Sequence, residues 1–185
     1  MTRIPYPRDD ELEPQARQLL SSLPPLNVLR MFAGAPAALV PMSDLGQAIL
    51  LRAELDPRLR EIAILAVAHA SASAYEGAQH ENICRLIGMP EDEIRAAADG
   101  EPDRLDAQAG LVWRFADQIA REVRADEQIT SDVLELLGRR QATELVIACA
   151  YYSAVARIIE TCGVEMEERL PTADIDPDDW VQESS

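Results

Sequence analysis

Glu61, Ser73, Glu76 and His80 are the residues of this chain whose types and spacing suit acid/base chemistry. Three of them fall in the run 73–80, Ser-Ala-Tyr-Glu-Gly-Ala-Gln-His. On a helix, residues three and seven apart share a face, so Ser73, Glu76 and His80 are expected to point the same way. Glu61 lies one helix length upstream, near the start of the preceding segment. Two carboxylates, a hydroxyl and an imidazole turned toward one another could take up and deliver protons. His80 is one of two histidines, and imidazole is the side chain whose ordinary pKa lies nearest neutrality.

The elements that must position these groups read as helices punctuated by proline and glycine. No region alternates with period two, so an all-α fold is expected. Asp9 and Asp10 open a short amphipathic segment that carries Leu12, Ala16, Leu19 and Leu20 and stops at Leu23-Pro24-Pro25-Leu26. Asn27 is placed to cap a brief helix with Val28, Met31 and Phe32. Pro36 suits the first turn of a helix through Leu39, Met42, Leu45 and Ile49.

Asp56-Pro57 repeats that start signal, and the segment 58–72 is apolar enough to be buried on most sides. Ser71 or Ser73 is expected to cap the next helix, which ends at Gly88. Pro90-Glu91-Asp92-Glu93 starts a short helix, and 105–123 forms a longer one with Leu111, Trp113, Phe115 and Ile119. Thr130 is read as the cap of Val133 to Leu137, with Gly138 as the stop. Ala142 to Cys162 is a second strongly apolar helix, ended by Gly163. Its head, Glu144-Leu-Val-Ile-Ala-Cys-Ala-Tyr, faintly echoes Glu61-Ile-Ala-Ile-Leu-Ala-Val-Ala.

A length of 185 residues is enough for one domain with a real core. Residues 1–170 are expected to form it, with the core motif in 45–125, and 171–185 to form an acidic tail. The formal charge is −16 and every basic residue is arginine. The lack of lysine excludes lysine Schiff-base chemistry and a P-loop lysine. With no basic stripe to offset it, the negative charge would repel phosphate backbones, so no nucleic-acid partner is expected. No stretch approaches the roughly 20 uncharged apolar residues that span a bilayer. The start, Met1-Thr2-Arg3-Ile4-Pro5, lacks the apolar core of a signal peptide. A cytoplasmic protein without a membrane partner is the expectation.

Cys84, Cys149 and Cys162 include no C-x-x-C pair, and an odd count argues against a disulfide framework. Cys149 and Cys162 would lie about 20 Å apart along one helix, beyond bridging distance. Two histidines and no cysteine cluster make a closed zinc site improbable, so no metal is expected. Cys84 follows His80 by four residues and reads either as a small core residue or as a thiol beside the imidazole. His69 reads as structural or exposed. Tyr75, Tyr151 and Tyr152 would either line a pocket or pack at a helix interface.

Taken with Leu55-Asp-Pro-Arg-Leu-Arg-Glu-Ile-Ala-Ile-Leu, Tyr75-Glu76, Gln79-His80, Tyr151-Tyr152 and Gly163-Val164-Glu165, the quartet resembles the carboxymuconolactone decarboxylase family. The other branch of that family is the alkylhydroperoxidase D-like proteins. The resemblance implies an all-α, alkylhydroperoxidase D-like helical bundle and a homo-oligomer. In the hydroperoxidase branch the motif is a glutamate, a C-x-x-C pair and a histidine, and those positions fall here on Glu61, Ser73, Glu76 and His80. Peroxide reduction in that branch needs an attacking thiolate and a resolving thiol. Neither Ser73 nor Glu76 can supply one.

The resemblance therefore implies cofactor-independent proton transfer or decarboxylation of a small organic acid, closer to the decarboxylase branch. His80, Glu76 and Glu61 are the catalytic candidates, with Ser73 and Tyr75 as substrate contacts; Ser73 reads first as a helix cap and only then as a minor contact. Two other readings stand beside it. One is a peroxidase acting through Cys84; the other is a non-catalytic member that binds a small molecule.

Overall fold

The computed structural model describes residues 2–168, and the expected tail lies outside them. Among the described residues there are eight α-helices and no strand. They are α1 (Pro14–Ser22), α2 (Asn27–Phe32), α3 (Pro36–Gln47), α4 (Pro57–Ala70), α5 (Ala74–Leu86), α6 (Glu91–Ala98), α7 (Ala107–Glu122) and α8 (Glu127–Cys162). A π-helical turn, Ala48–Arg52, follows α3, and a 3₁₀ turn, Pro102–Arg104, precedes α7. The fold is all-α, as the periodicity requires.

Ala48–Ile158 make up one compact unit, and the described chain on either side of it makes up a second. The second unit is tied together by its own polar contacts. Both Arg3 N and Ile4 N donate to Cys162 O, and Tyr6 Oη accepts from Glu165 N.

In the first unit α4 is the central element. It packs against α5, α6 and α7, and every residue from Leu59 to Ala68 is buried. Ile62, Ile64, Leu65 and Val67 share the core with Ile94 of α6, Val112 and Phe115 of α7, and Leu145, Ala148 and Cys149 of α8. Burying one such side chain contributes roughly 1.5–3 kcal/mol, so this cluster is the main source of cohesion. By length and composition α8 could cross a membrane, yet half of its apolar window is buried inside the protein. It acts here as a core helix.

Several helix boundaries differ from the sequence expectation, each for a local reason. α1 begins at Pro14 rather than at Asp9, because proline suits a first turn where its missing N–H is no loss. Asn27 does not cap α2: Leu26 holds that position, and the Asn27 amide donates to Glu165 O at 2.9 Å instead. Thr130 is not a cap either. Asp126 accepts from Ile129 N at 2.8 Å, and Thr130 Oγ1 donates back to Asp126 O, so the helix starts earlier, at Glu127. Gly138 does interrupt it, with φ 70° and ψ 169°, but helix resumes directly after.

His69 proves to be both exposed and structural. Its Nδ1 lies 3.1 Å from Ala98 O and its ring meets Trp113, whose Nε1 donates to Ala97 O at 2.8 Å. Together they satisfy carbonyls at the end of α6. Gly100 is required here, because a Cβ on it would stand 2.6 Å from the His69 ring.

Candidate functional site

Asp56 sets the register of the site. Its carboxylate accepts from Arg58 N at 2.9 Å and Leu59 N at 3.2 Å, and Pro57 fills the first turn. α4 thus begins where the sequence placed it, with Arg60 and Glu61 in its second turn. The chain leaves α4 through Ser71 and Ala72, the latter at φ 50°, and Ser73 N donates to Ala68 O at 3.0 Å. This tight turn brings α5 back along α4, so residues 19 apart in sequence meet.

Glu61 is fully buried and holds both neighbours. Its Oε2 lies 2.7 Å from His80 Nδ1, and its Oε1 accepts from Arg60 Nε at 2.8 Å. Burial alone would raise the pKa of its carboxyl. The His80 ring and the Arg60 guanidinium outweigh that cost and hold it below the usual carboxylate range. With the bond at Nδ1, Nε2 is the ring nitrogen not committed to Glu61.

Arg60 is itself buried and donates Nη1 to Leu50 O at 2.9 Å. Leu50 belongs to the π-helical turn, which ends two residues later at Arg52. Its carbonyl therefore lies in the last turn, where helix acceptors are left over.

Ser73, Glu76 and His80 do share one buried stripe of α5, as the spacing demands. Ser73 stands at the capping position without capping: its side chain makes no cap bond, and Oγ is buried with no hydrogen-bond partner. The cap reading is thereby corrected. The backbone explains it, since ψ at Ser73 is 95°, whereas the working cap Asp106 has ψ 169°. Tyr75 is buried too, but it projects about 140° around the helix from His80 at 3.6 residues per turn.

α8 contributes two tyrosines beside His80. The Tyr152 ring meets the His80 ring edge-on, with centroids 4.6 Å apart, and Tyr151 packs edge-on against Tyr152 at 5.1 Å. Burial, followed by the charges of Glu61 and Glu76, keeps the Tyr152 phenol protonated far into alkali. Burial and Glu76 push Tyr151 up to about 12. A phenol that stays protonated keeps its O–H available as a hydrogen-bond donor.

Sequence reasoning left Arg60 and the Leu50 carbonyl out of the site. The available signal was an arginine inside a segment too apolar to have a solvated face, which demands a buried acceptor. Glu144, head of the apparent echo, plays a different part. It accepts from Leu55 N at 2.8 Å and pairs with Arg140.

Cys84 lies on the same stripe but belongs to the hydrophobic core. Burial first, then the charges of Glu61 and Glu81, raises its thiol well above the ordinary range. All three cysteines are free.

Residues 36–118 match the model of the carboxymuconolactone decarboxylase family. This segment belongs to that family. Solved structures extend the likeness of fold to nearly the whole chain. An uncharacterized peroxidase-related protein from Ralstonia eutropha JMP134, described as an alkylhydroperoxidase AhpD core, superposes with TM-score 0.79 at 18% identity, over 90% of this chain and 93% of the other. A peroxidase-related protein from Silicibacter sp. TM1040 gives 0.78 at 15%, over 90% and 92%. The debrominase Bmp8, in a cysteine-to-alanine variant bound to 2,3,4-tribromopyrrole, gives 0.74 at 15%, over 91% and 93%. The bundle is thus alkylhydroperoxidase D-like. No curated protein matches the sequence.

Proposed function

We propose that this protein carries out cofactor-independent acid/base chemistry, a decarboxylation or related proton transfer, on a small organic acid. The observation that carries this reading is the bond between the fully buried Glu61 and His80 Nδ1 at 2.7 Å. A carboxylate so placed orients the ring and supports its charged form, while the other nitrogen exchanges protons with a reactant. In a decarboxylation the C–CO₂ bond breaks and its electron pair passes into a conjugated carbonyl. A proton from protonated His80 then ends on carbon, and solvent restores the imidazolium. The Tyr152 phenol suits the developing oxyanion. Glu76 is the second proton-handling group and Ser73 the candidate substrate contact, whereas Tyr75 projects away from the His80 stripe.

Thiol chemistry of a peroxidase kind fits less well. Serine and glutamate occupy 73 and 76, and the Cys84 thiol is buried and held protonated. The test is a screen of vinylogous carboxylic acids and their lactones for CO₂ release or solvent-deuterium uptake. His80→Ala should abolish any activity found, and undiminished turnover by that variant would sink the proposal.

A further inference from the structure

We infer that Arg60 is a positioning residue, supplying the positive charge that buried Glu61 would otherwise draw permanently from His80. This rests on the reading of His80 as the proton-handling group. The geometry is a chain of three contacts: Leu50 O to Arg60 Nη1 at 2.9 Å, Arg60 Nε to Glu61 Oε1 at 2.8 Å, and Glu61 Oε2 to His80 Nδ1 at 2.7 Å. The two carboxylate oxygens have partners on different helices, Arg60 on α4 and His80 on α5.

A buried carboxylate without a counter-charge is costly. If the imidazolium were its only cation, His80 would be locked in the protonated form and could not return from donor to base. Arg60 makes the pair with Glu61 neutral, so the His80 proton is free to leave and be replaced. Arginine suits the task because its charge is permanent and its fork serves two acceptors at once. The Leu50 carbonyl fixes where that charge sits, and a π-helical turn is a frequent device at functional sites.

The other groups around His80 do not take over this duty. Glu76 on α5 adds negative charge, the Tyr151 and Tyr152 phenols from α8 stay neutral, and the Cys84 thiol stays protonated. Among these groups Arg60 is the permanent cation.

The chain contains two histidines, so imidazole ¹⁵N NMR of the full protein separates them, with His69 as internal control. The wild-type spectrum at mildly alkaline pH gives the reference fraction of His80 that carries Nδ1–H and an Nε2 lone pair. In Arg60→Met the lone-pair fraction at Nε2 should fall severalfold while His69 is unmoved. Adding Glu61→Gln to Arg60→Met should restore it, because the demand for a cation is gone, and Arg60→Lys should restore it in part.

An unchanged Nε2 signal in Arg60→Met overturns the inference. If Arg60→Met does not fold, the Arg60→Met/Glu61→Gln and Arg60→Lys proteins decide by the same signal: loss of the lone pair in the double variant overturns it, and its presence there with a partial loss in Arg60→Lys supports it. None of these readouts requires turnover, so they stand or fall separately from the His80→Ala test of function.

Discussion

The edge of the Tyr152 ring stands against the His80 ring, centroids 4.6 Å apart and planes at 86°. This contact joins α8 to α5 at the site, although 72 residues separate the two in sequence (152 − 80). The imidazole it packs against is the one that Glu61 holds at Nδ1. Edge-to-face pairs of this kind contribute about 0.5–1.5 kcal/mol beyond simple burial.

Tyr152 can therefore be dissected. Tyr152→Phe keeps the ring contact and should change stability by less than about 1 kcal/mol, whereas Tyr152→Ala should cost about 3–5 kcal/mol. If the phenol serves an oxyanion, Tyr152→Phe should also lower kcat by roughly 10²-fold with little change in KM. Urea unfolding and steady-state kinetics on the same preparations separate these effects.

Glu61 should make stability depend on acid. Its folded pKa lies below its unfolded one, which for glutamate is about 4.3. The stabilisation is thus complete above that value and is lost as pH falls through the folded one. Glu61→Gln should be less stable at neutral pH by about 3–5 kcal/mol, because it leaves buried Arg60 without a counter-charge. On acidification below about pH 4 the wild type should lose stability faster than the variant, so the two curves converge. Denaturant midpoints from neutral to acidic pH measure this, and parallel curves would contradict it.

Cys84 should be inert in the folded protein. Its side chain is inaccessible and its thiol is held protonated, so neither mild peroxide nor iodoacetamide should modify it until denaturant is added. Partly exposed Cys162 should react first. Peptide mass spectrometry before and after unfolding gives the order; a sulfenic or sulfinic Cys84 in the native protein would revive the peroxidase reading.

Val123 ends α7 in the left-handed region, at φ 73°, with 86% of its surface exposed. A β-branched residue there costs roughly 1–2 kcal/mol, part of which glycine would return as backbone entropy. Val123→Gly should therefore raise stability by about 0.5–1 kcal/mol, read as a higher urea midpoint at unchanged slope.

The sequence by itself determined the helices and the face they offer. Periodicity, Asp56-Pro57 and the glycines at 88, 138 and 163 act over a few residues, so they could be read locally. The same holds for Ser73, Glu76 and His80, which share a stripe because helical geometry alone requires it. Boundaries failed where a competing cap stood nearby: Asp126 displaced Thr130, and a tertiary acceptor drew the Asn27 amide away.

Only the tertiary structure decided which nitrogen of His80 meets Glu61, that Arg60 is drawn inward by a carbonyl of the π-helical turn, and that the Tyr152 ring packs edge-on against His80. Those contacts join α4, α5, α8 and the turn before α4. Their formation depends on how the burial of α4 arranges its neighbours, and no local pattern encodes that. Ser73 shows the same division: its position was legible, but the backbone angle that stops it from capping is set by the turn between two packed helices.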